Sequence, residues 1–72
     1  MHEEQKRAID LFQKLLIGLA IEDADALAES MGFLVRVSKI DGVHRPPAKA
    51  VSSLRVNLDV ESDIVVAIAG IY

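Results

Sequence analysis

Cysteine and tryptophan are absent from this chain, and Phe12, Phe33 and Tyr72 are its only aromatic residues. Without cysteine the chain can form neither disulfide bonds nor cysteine-based zinc sites, and the redox compartment stays undetermined. Because 51% of the residues are hydrophobic but so few are aromatic, the core has to consist of Leu, Ile, Val and Ala with few large anchors. Its 72 residues predict a single domain, 1–72, and a domain of this size buries only about 60% of its unfolded surface.

Basic residues are also few: 8 Lys and Arg stand against 11 Asp and Glu, for a formal net charge of −3. Scattered along the chain, they give no basic patch for a phosphate backbone, so nucleic acid is not an expected partner. The longest apolar run, residues 64–72, is far shorter than the roughly 20 residues of a membrane helix. We expect no membrane partner. Residues 2–7 are acidic and polar, which favours a cytoplasmic location or a mature chain whose leader has been removed.

Two helices are predicted at the amino-terminal end. The first covers residues 1–17, where apolar side chains recur at helical spacing and form one stripe. That stripe consists of Ala8, Leu11, Phe12, Leu15, Leu16 and Leu19. A second helix is predicted for residues 22–31, with Ala24, Leu27, Ala28 and Met31 on one face. Gly18 and Gly32 follow these helices, where a left-handed glycine commonly ends a helix.

Three strands follow, at about residues 33–40, 54–60 and 64–71. The middle one is the clearest, because apolar residues alternate without a break with Arg55, Asn57 and Asp59, the pattern of a half-buried strand. The last strand is apolar on both faces, so it is either covered on both sides or presents one face to a partner.

The connections predict how these strands pair. Residues 41–53 contain Pro46-Pro47 and show no periodicity, so we expect an exposed loop. Its length suits a crossover between parallel strands rather than a hairpin. Residues 61–63 form a tight turn, which predicts an antiparallel last pair. The fold class is therefore α+β, with two helices packed on a three-stranded mixed sheet.

Several short motifs resemble the potato type I proteinase inhibitors and their small bacterial relatives. Leu16-Ile17-Gly18 is similar to the Leu-Val-Gly that precedes the family helix, and Glu22-Asp23-Ala24 to its Glu-Glu-Ala opening. Residues 55–60 resemble the family's Arg-(Leu or Val)-Asn-Val-Glu-Val strand, and the apolar strand ending near Gly70 has a counterpart. The resemblance spans about residues 15 to 71.

In that family the loop between the parallel strands lies in a protease cleft, so the resemblance implies that residues 44–53 are presented to a serine protease. It places Ala48, Lys49, Ala50 and Val51 at the protease-binding positions, with Lys49 entering a trypsin-like acidic pocket. It also implies that Arg55 supports the loop, while Pro46 and Pro47 stiffen its approach. A loop already held in its bound shape loses little entropy on docking and releases slowly.

Four positions depart from the family pattern. Ala48 and Ala50 carry no side-chain acceptor where the family has Thr and an acidic residue, and Ser52 and Asn57 stand where supporting arginines are expected. Charge-assisted hydrogen bonds of that kind are each worth about 1.5 to 3 kcal/mol. The resemblance therefore implies an inhibitor-like fold whose inhibitory activity is weakened or lost.

No enzyme activity is predicted. Helix-start and turn positions account for the acidic pairs without any chemistry, and the two histidines lack a spacing that links them to carboxylates. The residues concerned are Asp23, Asp25, Glu61, Asp63, His2 and His44. We expect no catalytic residue, no metal site and no cofactor. The alternative hypothesis to an inhibitor is a protein-interaction or homo-oligomerisation module that uses the first helix or the last strand.

Overall fold

A computed structural model describes residues 3–46 and 52–72 of the chain. Its elements are α1 (Glu3–Leu16), α2 (Ile21–Ser30), β1 (Leu34–Ile40), β2 (Val43–His44), β3 (Arg55–Glu61) and β4 (Ile64–Ile71). The strands form one mixed sheet in the order β2-β1-β3-β4. The α+β class is confirmed, whereas the prediction of three strands missed β2. No helix in these ranges is long and apolar enough to cross a membrane.

The central pair of strands runs parallel, as the length of the connection predicted. Leu34 is the register partner of Arg55, and Arg36 is that of Asn57. β3 and β4 are antiparallel, joined by a two-residue turn at Ser62 and Asp63. One end of the sheet therefore carries the starts of β1 and β3, and we name it the crossover end. The opposite end carries the tight turns and is named the hairpin end.

The extra strand begins at an Asp-Gly turn. Asp41 and Gly42 both have positive φ values, 50° and 84°, as a two-residue hairpin turn that matches strand twist requires. β2 then runs back along the outer edge of β1, with His44 opposite Lys39. The prediction of a loop over 41–53 was therefore wrong at Val43 and His44, which form β2. Asp-Gly is a strong hairpin signal, but only two strand residues follow it.

The core lies between the helices and one face of the sheet. Its largest buried apolar side chains are Phe12, Leu16, Val56, Leu58 and Val65. Phe12 and Phe33 meet edge to face, with ring centroids 4.9 Å apart, an arrangement that aromatic pairs prefer.

The predicted stripe of α1 is wider than the surface that the sheet covers. Leu11 and Leu15 are 43% and 39% exposed, whereas Ile9, which the prediction omitted, packs against the core. Helical spacing identifies the apolar side of α1 but does not fix which part of it touches the sheet. The exposed leucines leave an apolar flank along the helix.

α2 ends as predicted at a left-handed glycine. Gly32 has φ 86°, its N–H donates to the Glu29 carbonyl at 2.9 Å, and the Phe33 N–H donates to the Ala28 carbonyl at 3.0 Å. This is the Schellman arrangement. It also directs Phe33 into the core. Met31, predicted on the buried face, is instead 37% exposed because it lies at the helix end.

The connection between the helices pairs with the start of β4. The Gly18 N–H donates to the Val65 carbonyl at 2.8 Å, and the Val65 N–H donates to the Leu19 carbonyl at 2.9 Å. β4 is thus an edge strand, but near its start the backbone of the connection between the helices pairs with its outer edge. Farther along, Val66 and Ala69 have no register partner on β3, so β4 carries two bulges. Bulged and covered edges resist pairing with another chain.

Candidate protein-binding site

Most of the predicted protease-binding residues lie outside the described ranges. Ala48, Lys49, Ala50 and Val51 fall there, as does Pro47. Their neighbours on both sides are described, and these show how the crossover is attached to the sheet.

On its amino-terminal side the crossover is held along the edge of β1. The Arg45 N–H donates to the Ser38 carbonyl at 2.9 Å, which extends the β1–β2 pairing by one residue. His44, Arg45 and Pro46 are nevertheless exposed. The chain is therefore anchored by its backbone, while its side chains face the solvent.

On its carboxyl-terminal side the crossover joins β3 at the crossover end. The Leu34 N–H donates to the Leu54 carbonyl at 2.7 Å, and the Leu54 N–H donates to Ser52 Oγ at 3.2 Å. Leu34 and Leu54 are 59% and 52% exposed. Apolar surface therefore lies beside the crossover.

Arg36 connects the crossover to the middle of the sheet. Its Nη2 donates to the carbonyl oxygen of Pro46, and its Nη1 donates to Asn57 Oδ1 at 3.1 Å. The planar guanidinium suits this task, because it can direct donors at two acceptors at once. No pattern in the sequence alone had indicated a role for Arg36. Its register position opposite Asn57 was the signal, and it could be used only once the parallel register was known.

Asn57 is fully buried although it points away from the helices, on the opposite face from Val56 and Leu58. Its amide Nδ2 lies 3.4 Å from the Arg55 carbonyl oxygen and 3.3 Å from the carbonyl oxygens of Gly70 and Tyr72. A buried amide needs such partners, since an unsatisfied one costs about 1–3 kcal/mol. Asn57 therefore joins Arg36 to the end of β4.

Arg55, the predicted loop support, also reaches the end of β4. Its Nη1 lies 3.3 Å from the Tyr72 carbonyl oxygen, and the Tyr72 N–H donates to the Arg55 carbonyl at 3.1 Å. Support of the loop by Arg55 stays a prediction. Pro46, predicted to stiffen the loop, supplies the carbonyl that Arg36 holds.

A second polar group stabilises the same sheet face nearer the hairpin end. Ser38 is the bulge residue of β1, and its Oγ lies 2.9 Å from Asp59 Oδ1 and 3.2 Å from the Leu58 carbonyl oxygen. Lys39 Nζ lies 3.9 Å from Asp59 Oδ2, with both side chains partly exposed. A pair of that kind contributes about 0 to 1 kcal/mol. Pairing of β1 with β3 therefore accounts for this polar group.

Carboxylate and imidazole groups are the other side chains of this domain that could bind a metal ion. Among the side chains described, those of residues 6–46 and 52–72, no three His, Cys, Asp or Glu come together where they could hold a metal ion. His44 is exposed on β2, and His2 lies outside the described residues.

The fold and the site together define a small α+β domain in which a polar cluster on the sheet holds the start of the crossover between parallel strands. No family model, curated protein or solved structure matches the chain. The attachment of the two described ends of the crossover is therefore the basis for any functional proposal.

Proposed function

We propose that this protein is a serine-protease-inhibitor-like domain that presents residues 44–53 to the cleft of a protease. The observation that carries the proposal is the attachment of Pro46 by Arg36, which is itself bonded to the buried Asn57. A segment presented between two anchored ends loses less conformational entropy when it docks.

Arg36 supplies a kind of support that the resemblance alone did not provide. Ser52 and Asn57 stand where the family pattern has arginines, yet a guanidinium still reaches the crossover, from β1 instead of β3. Hydrogen bonds from a charged group contribute about 1.5 to 3 kcal/mol. Ala48 and Ala50 still offer no side-chain acceptor, so we expect weaker retention than in a fully supported loop.

The charge of the segment favours a partner with an acidic cleft. Residues 42–58 contain Arg45, Lys49 and Arg55 but no Asp or Glu. Complementary charge speeds association and orients the partner. Arg45 precedes Pro46, whose ring and missing N–H make a poor cleavage site. The Lys49–Ala50 bond is thus the proposed point of contact with a trypsin-like pocket.

Inhibition assays with trypsin and subtilisin test this function. The protein should inhibit trypsin more strongly than subtilisin, and Lys49→Ala should abolish the preference because it removes the charge for the acidic pocket. Lys14→Ala is the matched control, since Lys14 is an exposed lysine on α1. Absence of inhibition by the wild-type protein, together with rapid cutting after Lys49, would show that the proposal is wrong.

A second candidate function is self-association through α1. The observation that favours it is the apolar flank formed by Leu11 and Leu15. The edge of β4 is a poorer candidate, because it is bulged and its first part is already paired. Sedimentation of the wild-type protein and of a Leu11→Ser, Leu15→Ser variant tests this function. A monomer at all concentrations for both proteins would exclude it.

A further inference from the structure

The hydrogen bonds around Asn57 connect two parts of the chain that are far apart in sequence. On one side Asn57 Oδ1 accepts from Arg36, which holds Pro46. On the other side Asn57 Nδ2 faces the carbonyl oxygens of Gly70 and Tyr72. A single buried amide therefore contacts both the support of the crossover and the end of β4.

We infer that Asn57 is a positioning residue for the presented segment, and that it holds Arg36 on Pro46 only while the end of β4 is docked. The inference rests on the proposed function only in taking residues 44–53 as the presented segment. An amide suits this role because it accepts from Arg36 and donates to β4 at the same time. If the carbonyls of β4 move away, Asn57 Nδ2 keeps only its 3.4 Å contact with the Arg55 carbonyl oxygen. The amide is then less firmly oriented, and Arg36 loses an aligned acceptor.

Gly70 offers a way to disturb the end of β4 without changing the Asn57 side chain, which Gly70 contacts only through its backbone carbonyl. Its φ is +151°, and a Cβ at this position would lie 3.0 Å from one Tyr72 ring carbon and 3.1 Å from another. Gly70→Ala should therefore strain the backbone and displace Tyr72. Gly18→Ala is the matched control. Gly18 also has a positive φ, +91°, but a Cβ there meets nothing within 4 Å. Its N–H bonds to Val65 near the start of β4, away from Gly70.

The N–H of Arg45 reports on the segment without any protease. It donates to the Ser38 carbonyl, so its hydrogen exchange rate rises when residues 45–46 leave the sheet edge. The two variants are compared under conditions that give them the same free energy of global unfolding. The Arg45 exchange rate should then be roughly tenfold higher in Gly70→Ala than in Gly18→Ala, because the loss of one charged hydrogen bond corresponds to about that factor. Cleavage after Lys49 should rise in parallel.

A double-mutant cycle isolates Asn57. Asp at position 57 keeps an acceptor for Arg36 but donates nothing to β4, so Gly70→Ala should no longer change Arg45 exchange in an Asn57→Asp background. Should that variant fail to fold, Arg36→Gln closes the cycle, because Gly70→Ala should add nothing once the guanidinium is gone. Equal exchange in the Gly70 and Gly18 variants, or an undiminished Gly70 effect in either background, overturns the inference. A protein that shows the coupling but inhibits no protease would refute the proposed function alone.

Discussion

Asp41 and Ser62 join the two tight turns at the hairpin end: Asp41 Oδ1 accepts from the Ser62 backbone N–H at 2.7 Å. The Asp41 N–H also donates to the Val60 carbonyl at 2.8 Å. One residue of the β1–β2 turn thereby ties down the β3–β4 turn. This contact secures the hairpin end, opposite the end where the crossover joins the strands.

Replacements of Asp41 should separate the contribution of its side-chain hydrogen bond from that of its left-handed backbone conformation. Asp41→Ala removes the acceptor for the Ser62 N–H. It also puts alanine, whose side chain cannot form a local hydrogen bond, into the left-handed conformation at φ 50°. We therefore expect the free energy of unfolding to fall by about 2–3 kcal/mol. Asp41→Asn keeps an oxygen and tolerates this conformation, and should lose under about 1 kcal/mol. Urea unfolding measures both, and equal losses would contradict the role of the side-chain bond.

The β3–β4 turn can be improved. Ser62 and Asp63 have φ values of 49° and 65°, and turns of this type prefer Asn-Gly. The double change Ser62→Asn, Asp63→Gly should stabilise the protein by about 1 kcal/mol, since the strain of left-handed non-glycine residues is removed. Thermal unfolding provides the measurement. Asp10→Gly in α1 is the control, because it introduces glycine where the backbone is helical. This change should destabilise the protein, since glycine weakens a helix interior.

The start of α2 lacks a side-chain cap. Ala20 occupies the N-cap with φ −60° and ψ 144° and makes no side-chain hydrogen bond. Ala20→Ser should add about 1 kcal/mol to the free energy of unfolding, because its hydroxyl can accept from a free N–H of the first turn. Ala26→Ser, an exposed site within α2, should instead cost about 0.5 kcal/mol. Stabilisation at both sites, or at neither, would argue against capping as the cause.

Phe12 is the largest side chain of the core, fully buried and in contact with Phe33. Phe12→Ala should cost about 3–5 kcal/mol, enough to leave so small a domain largely unfolded. Circular dichroism at 25 °C should then show loss of the folded signal. Leu11→Ala, one residue earlier and 43% exposed, should retain it.

The sheet order was largely predictable because three local signals agreed. Alternation placed Val56, Leu58 and Val60 on the core face, and the length of the connection gave the parallel pairing of β1 and β3. The tight turn at Ser62 and Asp63 gave the antiparallel pair. Each signal depends on one strand or one connection, which a sequence displays directly.

The support of the crossover was not predictable in the same way. Arg36 and Asn57 are 21 positions apart, and their contact depends on the register of β1 against β3. A shift by one residue would turn Arg36 away from Asn57. The exposure of Leu11 and Leu15 was missed for a related reason, since α1 could have rotated on the sheet without changing its own pattern.

The parallel pairing also determines when this protein can fold during synthesis. As the nascent chain leaves the ribosome, β1 emerges with one hydrogen-bonding edge unpaired, and its partner strand follows about 21 positions later. At about 5 to 20 residues per second, that delay lasts roughly one to four seconds. During this interval Val35 and Val37 have no neighbouring β3, so the sheet cannot form before residues 55–61 have been synthesised.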